Sequence, residues 1–227
     1  MTVLALIPAY RAEATLGAVV EATRAVLPQV LVVDDGSGDD TPGVAARAGA
    51  EVLRLERNRG KGSALRAGFA RALEAEARAV VTLDADGQHD PAEIPRLLEA
   101  WQATGAALVI GSRAHLLAEM GSLRRFGNRF SRFALSRFAG ISVPDGQSGF
   151  RLYDARLLRR VRLVGTRYEM ESEVIVRAAR AGFGVESVPV RLARVEGTGT
   201  SHFRPWRDTA RICAAVVAAR LRRTVCS

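Results

Sequence analysis

The chain has 227 residues, of which 48% are hydrophobic and 25% are charged, and this composition fits one globular domain with a sizeable core. Its longest apolar run, residues 213–219, is far shorter than the roughly 20 residues that span a bilayer. No basic region or cleavage site opens the sequence, and Cys213 and Cys226 form no zinc-binding pattern. We therefore predict a cytoplasmic protein without a transmembrane helix or a zinc site.

Charge is distributed unevenly along the chain. Residues 1–112 hold 11 basic and 15 acidic residues, a net charge of −4, whereas residues 113–227 hold 22 and 9, a net charge of +13. The first half suits a metal ion, and the second suits an anionic partner such as lipid, nucleic acid or a phosphorylated acceptor. Of the 33 basic residues, 32 are arginine, so Lys61 is the only lysine. Because a compact ammonium differs in use from a planar guanidinium, Lys61 is a candidate functional residue.

Strand-like and helix-like segments alternate through the first half. Strands are predicted at residues 2–7, 29–33, 51–55, 79–83 and 107–110, with helices at about 13–26, 42–48, 62–76 and 91–103. This alternation predicts βαβ units, and therefore an α/β fold with a mostly parallel sheet flanked by helices. Thr41 and Asp90, each followed by a proline, are predicted helix caps, and Glu93 would complete a capping box.

The second half contains two basic amphipathic segments. Residues 119–138 predict a helix on which phenylalanines and arginines alternate, and residues 205–223 predict a helix with a basic end. An apolar face beside arginines suits a helix that lies in a membrane interface. The alternative is a helix packed on the sheet, with a solvated basic face.

Carboxylates follow two of the predicted strands. Asp84 and Asp86 come directly after residues 79–83, and the carboxyl ends of strands are where α/β proteins build their sites. Two neighbouring carboxylates need a cation between them, which favours a divalent metal ion over the alternative of a polar turn. Asp34 and Asp35 follow another strand, where they could accept hydrogen bonds from a nucleobase or ribose.

Other catalytic patterns are not supported by the sequence. The loop around Lys61 resembles a Walker loop, but Leu55 stands where its first glycine belongs. The three histidines, His89, His115 and His202, are scattered and form no triad with a nucleophile. His89 is predicted to be a solvated turn residue.

Taken together, the motifs resemble the ordered signature of family 2 glycosyltransferases, and most of all dolichol-phosphate mannosyltransferase and bacterial polyprenyl-phosphate glycosyltransferases. In chain order the motifs are Ile7-Pro8-Ala9-Tyr10, Val32-Val33-Asp34-Asp35-Gly36-Ser37, Asn58-Arg59-Gly60-Lys61-Gly62, Leu83-Asp84-Ala85-Asp86-Gly87-Gln88-His89, Gly111-Ser112-Arg113, Asp145-Gly146-Gln147-Ser148-Gly149-Phe150-Arg151 and Gly199-Thr200-Ser201-His202-Phe203. The resemblance covers nearly the whole chain. It implies a single Rossmann-like GT-A domain over residues 1–227, with amphipathic interface helices in its second half.

The resemblance implies a role for each matched position. Residues 1–112 would bind the nucleotide sugar and metal, and residues 113–227 would face the acceptor and membrane. The nucleotide sugar would contact Pro8, Ala9, Tyr10, Glu13, Asp34, Asp35, Lys61, Asp84, Ala85 and Asp86. Mg²⁺ or Mn²⁺ would be held by Asp84, Asp86 and Gln88. The acceptor would be bound by Arg113, Arg124, Arg125, Ser148 and Arg151. The catalytic residues would be Asp86, Asp145 and Arg113. One departure is that Arg11-Ala12 replaces the Asn-Glu that usually follows Pro-Ala-Tyr in the family.

The implied reaction is inverting, metal-dependent transfer of a hexose from GDP-mannose or UDP-glucose to a polyprenyl or dolichyl phosphate. It would occur at the inner face of the cell membrane, where the chain would bind anionic lipid as a peripheral protein. A phosphate acceptor is already ionised at pH 7, so Asp145 is expected to be a positioning residue or a weak base.

Two other functions remain open from the sequence. One keeps the donor chemistry but uses a soluble sugar or a glycolipid as acceptor. The other is a basic RNA- or DNA-binding module whose phenylalanines stack on bases. That module leaves Asp84, Asp86 and Lys61 without a function.

Overall fold

The computed structural model describes residues 2–113, 140–141 and 143–193 of the chain. The predicted helices at 119–138 and 205–223, the motif at 199–203 and the expected acceptor residues Arg124 and Arg125 lie outside the described residues. Within the described part of the chain, no helix is long and apolar enough to cross a membrane.

Strands and helices alternate along the first half, as the sequence predicts. In chain order the elements are β1 (Val3–Ala9), α1 (Leu16–Val26), β2 (Val30–Asp34), α2 (Thr41–Arg47), β3 (Glu51–Arg54), α3 (Lys61–Glu74), β4 (Ala79–Thr82), a short 3-10 helix (Pro91–Glu93), α4 (Ile94–Thr104), β5 (Leu108–Ser112), β6 (Arg151–Asp154), α5 (Ala155–Arg160), α6 (Glu169–Arg180) and β7 (Val185–Pro189). All the strands and helices predicted in the first half are present, with ends moved by a few residues. The elements from β6 onward were not predicted.

The seven strands of the described residues form one mixed sheet in the order β3-β2-β1-β4-β6-β5-β7. Only β6 among them runs antiparallel to its neighbours, so the prediction of a mostly parallel sheet is confirmed. In the register of the parallel strands, Ala9 lies beside Asp34 and Leu6 beside Thr82. The carboxyl ends of β1, β2 and β4 therefore meet at one edge of the sheet, and the motifs that follow these strands meet there too.

The central strands of the sheet are buried on both faces. Along β1, Leu4 and Leu6 point into one apolar core, and Ala5 and Ile7 point into the other. Because successive side chains of a strand alternate between the faces, a strand covered on both sides is apolar throughout its length. This is why a central strand such as β1 appears as a continuous apolar run in the sequence, whereas the edge strand β3 contains the exposed residues Glu51 and Arg54.

The predicted cap at Thr41 is wrong. Thr41 is the first residue of α2, and Asp40 precedes it at the cap position. The Thr41 hydroxyl instead donates to Asp39 Oδ1 and accepts from the backbone N–H of Ala12. It therefore joins the loop after β1 to the loop after β2.

The second predicted cap is confirmed in part. Asp90 accepts a hydrogen bond from the backbone N–H of Ala92, at the start of the 3-10 helix. The side chain of Glu93 does not complete a capping box; it is buried and forms ion pairs with Arg96 at 3.2 Å and Arg191 at 2.5 Å. The difference arises because Arg191, distant in sequence, brings its charge to this carboxylate through the tertiary fold.

Asp154 joins three elements where β6 passes into α5. Its Oδ1 atom accepts from the Arg156 N–H at 2.7 Å, which caps α5. Its Oδ2 atom accepts from the indole N–H of Trp101 in α4 at 2.8 Å. Burial alone would raise the pKa of Asp154, but hydrogen bonds from Arg156 and Trp101 outweigh it and hold the pKa below the ordinary value of 3.8.

We expect Asp154→Ala to lower the free energy of unfolding by about 2–4 kcal/mol. The change removes a helix cap, worth about 1 kcal/mol, and leaves a buried indole N–H unpaired, at about 1–3 kcal/mol. Asp154→Asn keeps an acceptor and should lose less. Urea unfolding at pH 7 measures both differences.

The pH dependence of the Asp154→Asn difference should follow from the lowered pKa. A carboxylate whose pKa is lower in the folded state contributes stability above its unfolded pKa, and this contribution is lost as pH falls through the folded pKa. The stability gap between the native chain and Asp154→Asn should therefore be constant near neutral pH and shrink below the ordinary value of 3.8. A gap that widens in acid would contradict this.

Candidate active site

The loop from Asp84 to His89 follows β4 at the sheet edge and is held by hydrogen bonds within itself. The Asp84 N–H donates to His89 Nδ1 at 3.1 Å, and the Gln88 N–H donates to Asp86 Oδ1 at 3.0 Å. Contrary to the prediction of a solvated residue, His89 is only 3% exposed and stacks on Phe150. Burial lowers the pKa of His89, which favours the neutral imidazole that can accept the Asp84 hydrogen bond.

Neighbouring segments fix this loop from two sides. The Thr15 hydroxyl donates to the carbonyl of Ala85 at 2.7 Å. From the other side, the Ala193 N–H donates to the carbonyl of Gln88 at 3.1 Å, beside a bridge between His89 and Leu192. The loop that carries the two aspartates is therefore positioned before any ligand arrives.

Lys61, the only lysine, lies between two carboxylates. Its Nζ atom is 2.5 Å from Asp84 Oδ1 and 2.8 Å from Glu171 Oε1. The side chains of Lys61 and Asp84 are 18% and 28% exposed, and that of Glu171 is 6% exposed. The contact joins the start of α3, the loop after β4 and the first turn of α6. Nothing in the sequence pattern pointed to Glu171, because acidic residues are ordinary in the first turn of a helix.

The charges in this cluster stabilise one another. Burial would raise the pKa of Asp84, but the Lys61 ammonium outweighs it and lowers the pKa to about 2. Burial would lower the pKa of Lys61, but Asp84 and Glu171 outweigh it and raise the pKa above its ordinary value. Both groups are therefore charged throughout the physiological pH range.

The backbone at Lys61 is fixed by a glycine and a neighbouring loop. Gly60 has a φ of 94°, in the left-handed region, and a Cβ atom there would lie 2.6 Å from the carbonyl oxygen of Thr166. That carbonyl accepts a hydrogen bond from the Ser63 N–H. The helix start that carries Lys61 is therefore pressed against the loop before α6, which only a glycine permits.

The aspartates after β2 brace the adjoining loops. Asp35 accepts hydrogen bonds from the N–H groups of Arg59 at 2.8 Å and Gly60 at 2.7 Å. Asp34 accepts from the Ser37 N–H, and its Oδ2 atom lies 3.3 Å from Arg54 Nε. Burial raises the pKa of Asp35, although the two hydrogen bonds oppose this effect. The contact of Asp34 and Asp35 with a nucleobase remains a prediction.

The chain departs from the family pattern directly after Tyr10. Arg11 has a φ of 51°, and its guanidinium lies 5.4 Å from the centre of the Tyr10 ring. Its N–H donates to the Ser37 hydroxyl at 2.9 Å, so the loops after β1 and β2 are joined here. Glu13 accepts from the Asp40 N–H and joins the same two loops.

Arg113 and Asp145, which the resemblance assigns to catalysis, form an ion pair. The N–H and Nε–H groups of Arg113 donate to Asp145 Oδ2 at 3.1 and 3.0 Å. Burial would raise the pKa of Asp145, but the charge and hydrogen bonds of Arg113 outweigh it and lower the pKa. Asp145 therefore stays ionised at neutral pH and is a poor proton acceptor.

Arg151 and Ser148, two of the expected acceptor residues, lie inside the protein. Arg151 is 0% exposed, and its guanidinium donates to the carbonyls of Gly146, Ser148 and Glu171. Ser148 is equally buried and accepts from the Phe150 N–H. Both side chains shape the loop between Asp145 and β6 from inside. A contact of Ser148 or Arg151 with an acceptor remains a prediction.

The residues of the β4 loop fit a divalent metal ion. Asp84, Asp86 and Gln88 offer carboxylate and amide oxygens, the ligands that Mg²⁺ and Mn²⁺ prefer. Asp86 is partly exposed, and none of the ion pairs between described residues involves it. The described residues contain no cluster of three or more His, Cys, Asp or Glu side chains that could hold a metal alone. The site therefore suits an ion that takes its remaining ligands from water and substrate phosphates.

Comparison with known proteins shows the family of this chain. The sequence profile of "Glycosyl transferase family 2" matches residues 5–162. The chain belongs to this family. As a family 2 glycosyltransferase it is 33% identical to polyprenol monophosphomannose synthase of Mycolicibacterium smegmatis, over 85% of this chain and 78% of that protein. It is 32% identical to dolichyl-phosphate beta-glucosyltransferase of Drosophila melanogaster, over 91% of this chain and 71% of that protein.

Solved structures of glycosyltransferases share the fold. Glucosyl-3-phosphoglycerate synthase from Mycobacterium tuberculosis, in complex with Mn²⁺, UDP and phosphoglyceric acid, matches this glycosyltransferase with a TM-score of 0.74 at 22% identity. The match covers 97% of this chain and 77% of that one. At this level of identity the likeness shows the fold, and the GT-A fold expected from the sequence is confirmed.

Gly149 provides a test of the Lys61 cluster. A Cβ atom at this position would lie 2.7 Å from both carboxylate oxygens of Asp84 and 2.8 Å from Lys61 Nζ. Gly149→Ala should therefore displace this pair. Because a displacement of about 1 Å at a reacting centre can cost about 100-fold in rate, we expect a loss of that order in hexose transfer.

A matched control separates this effect from simple instability. Gly105 has a φ of 66° with open space around its Cβ position, so Gly105→Ala should cost about 1 kcal/mol of stability away from the site. Thermal unfolding and transfer rates of both variants are then compared. Equal transfer rates for the two variants would show that a side chain at Gly149 does not disturb the Lys61 cluster.

Proposed function

We propose that this glycosyltransferase moves a hexose from a nucleotide diphosphate sugar to a polyprenyl phosphate, with Mg²⁺ or Mn²⁺ bound at the β4 loop. The observation that carries the proposal is the placement of an acidic loop beside an arginine. Asp84 and Asp86 lie at the sheet edge, and the charges of Asp84 and Arg113 affect each other's pKa. A donor with its metal ion and an acceptor phosphate can both be bound at such a site.

The activities of two relatives support this choice of substrates. The mycobacterial relative is a polyprenol monophosphomannose synthase, and the Drosophila relative is a dolichyl-phosphate glucosyltransferase. The mycobacterial relative implies mannose and the Drosophila relative glucose, so both sugars remain candidates for the donor. Mn²⁺ with UDP in the structural neighbour supports a divalent ion at the same kind of site.

On the donor side, each group has a chemical task. Tyr10 and Asp35 would bind the nucleoside, and Lys61 would lie near the diphosphate. Asp84, Asp86 and Gln88 would hold the metal ion. When bound, the ion neutralises negative charge on the leaving diphosphate, as catalytic metal ions do in phosphate chemistry.

On the acceptor side, Arg113 would bind the phosphate and orient one of its oxygens toward the anomeric carbon of the sugar. A guanidinium has five N–H donors, and the ion pair with Asp145 uses the one on Nε. The acceptor oxygen forms a bond to the anomeric carbon while the bond to the nucleotide diphosphate breaks, and the leaving group takes the electron pair. Attack from the opposite side inverts the configuration.

No strong base is required in this reaction. The acceptor phosphate is already ionised, and the lowered pKa of Asp145 makes that carboxylate unsuitable for taking a proton. Asp145 would instead fix the orientation of Arg113. This supports a phosphate acceptor over a sugar hydroxyl, which would have to lose a proton.

The acceptor also implies a place for the protein. Polyprenyl phosphates lie in membranes, and residues 113–227 carry a net charge of +13. We infer a peripheral protein at the inner face of the cell membrane, bound through its basic segments to anionic lipid.

Asp86→Asn tests the metal site. We expect it to reduce hexose transfer at least 100-fold, because the stabilisation that a metal ion gives a leaving diphosphate is worth several kcal/mol. Thermal shifts with GDP-mannose and UDP-glucose, each with and without Mn²⁺, should show a metal-dependent shift for one donor in the native chain and none in the variant.

Asp90→Asn is the matched control for this change. It removes the same charge four residues further on, but the asparagine can still cap the 3-10 helix. The control should keep both the shift and the transfer. Native transfer that survives excess chelator would refute the metal site.

Flotation with vesicles tests the acceptor side. Native protein should float with vesicles that contain anionic lipid and should be released by salt. Arg124→Ala combined with Arg125→Ala should weaken binding about tenfold or more, since each arginine near an anionic surface contributes about 1 kcal/mol.

Arg159→Ala combined with Arg160→Ala is the control, because these exposed residues at the end of α5 carry the same charge. It should bind vesicles as the native protein does. If the native protein does not bind vesicles and transfers hexose to a water-soluble acceptor, the soluble-acceptor alternative is favoured.

A further inference from the structure

Glu171 is a buried carboxylate to which the proposed reaction assigns no task. Its side chain is 6% exposed and lies 2.8 Å from Lys61 Nζ. Burying a charge costs several kcal/mol unless a partner compensates it, and here the partner is Lys61 together with the favourable start of α6. The backbone is fixed as well, because the Glu171 carbonyl accepts a hydrogen bond from Arg151.

Stability alone gives little reason for this arrangement. A buried ion pair is commonly no more stable than well-packed apolar side chains of the same size. The contact between Glu171 and Lys61 also affects a third residue, because the same ammonium lies 2.5 Å from Asp84. A change in the contact between Glu171 and Lys61 therefore changes how far the ammonium neutralises Asp84.

The charge balance depends on the number of carboxylates. Lys61 and Asp84 alone would form a neutral pair, and a neutral pair attracts a cation weakly. With Glu171 present, one ammonium is shared between two carboxylates, and the group keeps a net charge of −1. Asp84 is then less fully neutralised than it would be in the pair with Lys61 alone.

We propose that Glu171 is a positioning residue that shares the Lys61 ammonium, so that Asp84 keeps enough negative charge to attract the divalent ion of the β4 loop. Lys61 stays in place for the donor diphosphate without neutralising the metal site. The inference rests on the proposed function, because it takes the β4 loop as the metal site.

Direct titration with Mn²⁺, followed by the electron paramagnetic resonance of the free ion, tests this without any turnover. Glu171→Gln should bind Mn²⁺ about 10- to 100-fold more weakly, which is the usual effect of removing a group that supports a metal ligand. Glu169→Gln is the matched control. Glu169 is on the same helix and has the same charge, but it accepts hydrogen bonds from the N–H groups of Thr166 and Arg167.

The double variant Lys61→Met with Glu171→Gln separates charge sharing from other roles. Removing the ammonium frees Asp84 from its neutral pair, so Mn²⁺ affinity should return to within about threefold of the native value. A Glu171 that bound the metal directly, or that only held the fold together, would not be rescued in this way. A double variant as weak as Glu171→Gln would therefore overturn the proposal, as would an unchanged affinity in Glu171→Gln itself.

The single lysine gives a second measurement that needs no metal. Acylation of Lys61 by an amine reagent can be followed by mass spectrometry on the tryptic peptide of residues 60–66. Glu171→Gln should be acylated several-fold faster than the native chain, and Glu169→Gln should not. An equal rate in Glu171→Gln would show that the contact is not made in solution.

The two proposals fail in different ways. A native chain that binds no Mn²⁺ would overturn the metal site of the proposed function, and with it the purpose given to Glu171. A native chain that binds Mn²⁺, with Glu171→Gln binding equally well, would leave the proposed function intact and overturn the inference about Glu171.

Discussion

The ion pair of Lys61 with Asp84 and Glu171 is the interaction on which the site depends. It joins the start of α3, the loop after β4 and the first turn of α6, three segments far apart in sequence. Each ion is buried enough that losing a partner would leave a costly uncompensated charge. The close packing of Gly60 and Gly149 around the cluster follows from it, because a side chain at either position would separate the segments that the ion pair brings together.

The surrounding loops are braced mainly by polar side chains that bind backbone groups. Asp35 accepts from Arg59 and Gly60, and Arg151 donates to two carbonyls of the loop before β6 and to one of α6. Such contacts satisfy backbone groups that a loop cannot pair within itself. They also hold the site in position before substrates arrive, so little ordering is needed on binding. Several residues matched to the family motifs therefore act on the geometry of the site as well as on its chemistry.

Much of the fold and part of the site could be predicted from the sequence. Strand β2 is apolar up to Asp34, its last residue, because both faces of the sheet are covered there, and this pattern needs no knowledge of neighbours. The order of motifs likewise placed Asp84 and Asp86 at a strand end. His89 could not be predicted, since its burial depends on stacking against Phe150, a residue of a distant segment. The sequence predicts Glu93 as part of a helix cap. Its ion pair with Arg191 could not be predicted, because the two residues meet only in the folded chain.

The sequence by itself determined the α/β class, the position of the acidic loop after a strand and the family to which the chain belongs. These depend on local order along the chain, such as apolar runs, proline and glycine positions and motif spacing. The tertiary structure decided which charges meet. It placed Glu171 against the only lysine, paired Asp145 with Arg113 and buried Arg151, whose guanidinium donates to the backbone of the loop before β6. The physical reason is that ion pairs and burial depend on distances between segments, which the spacing of residues along a chain does not specify.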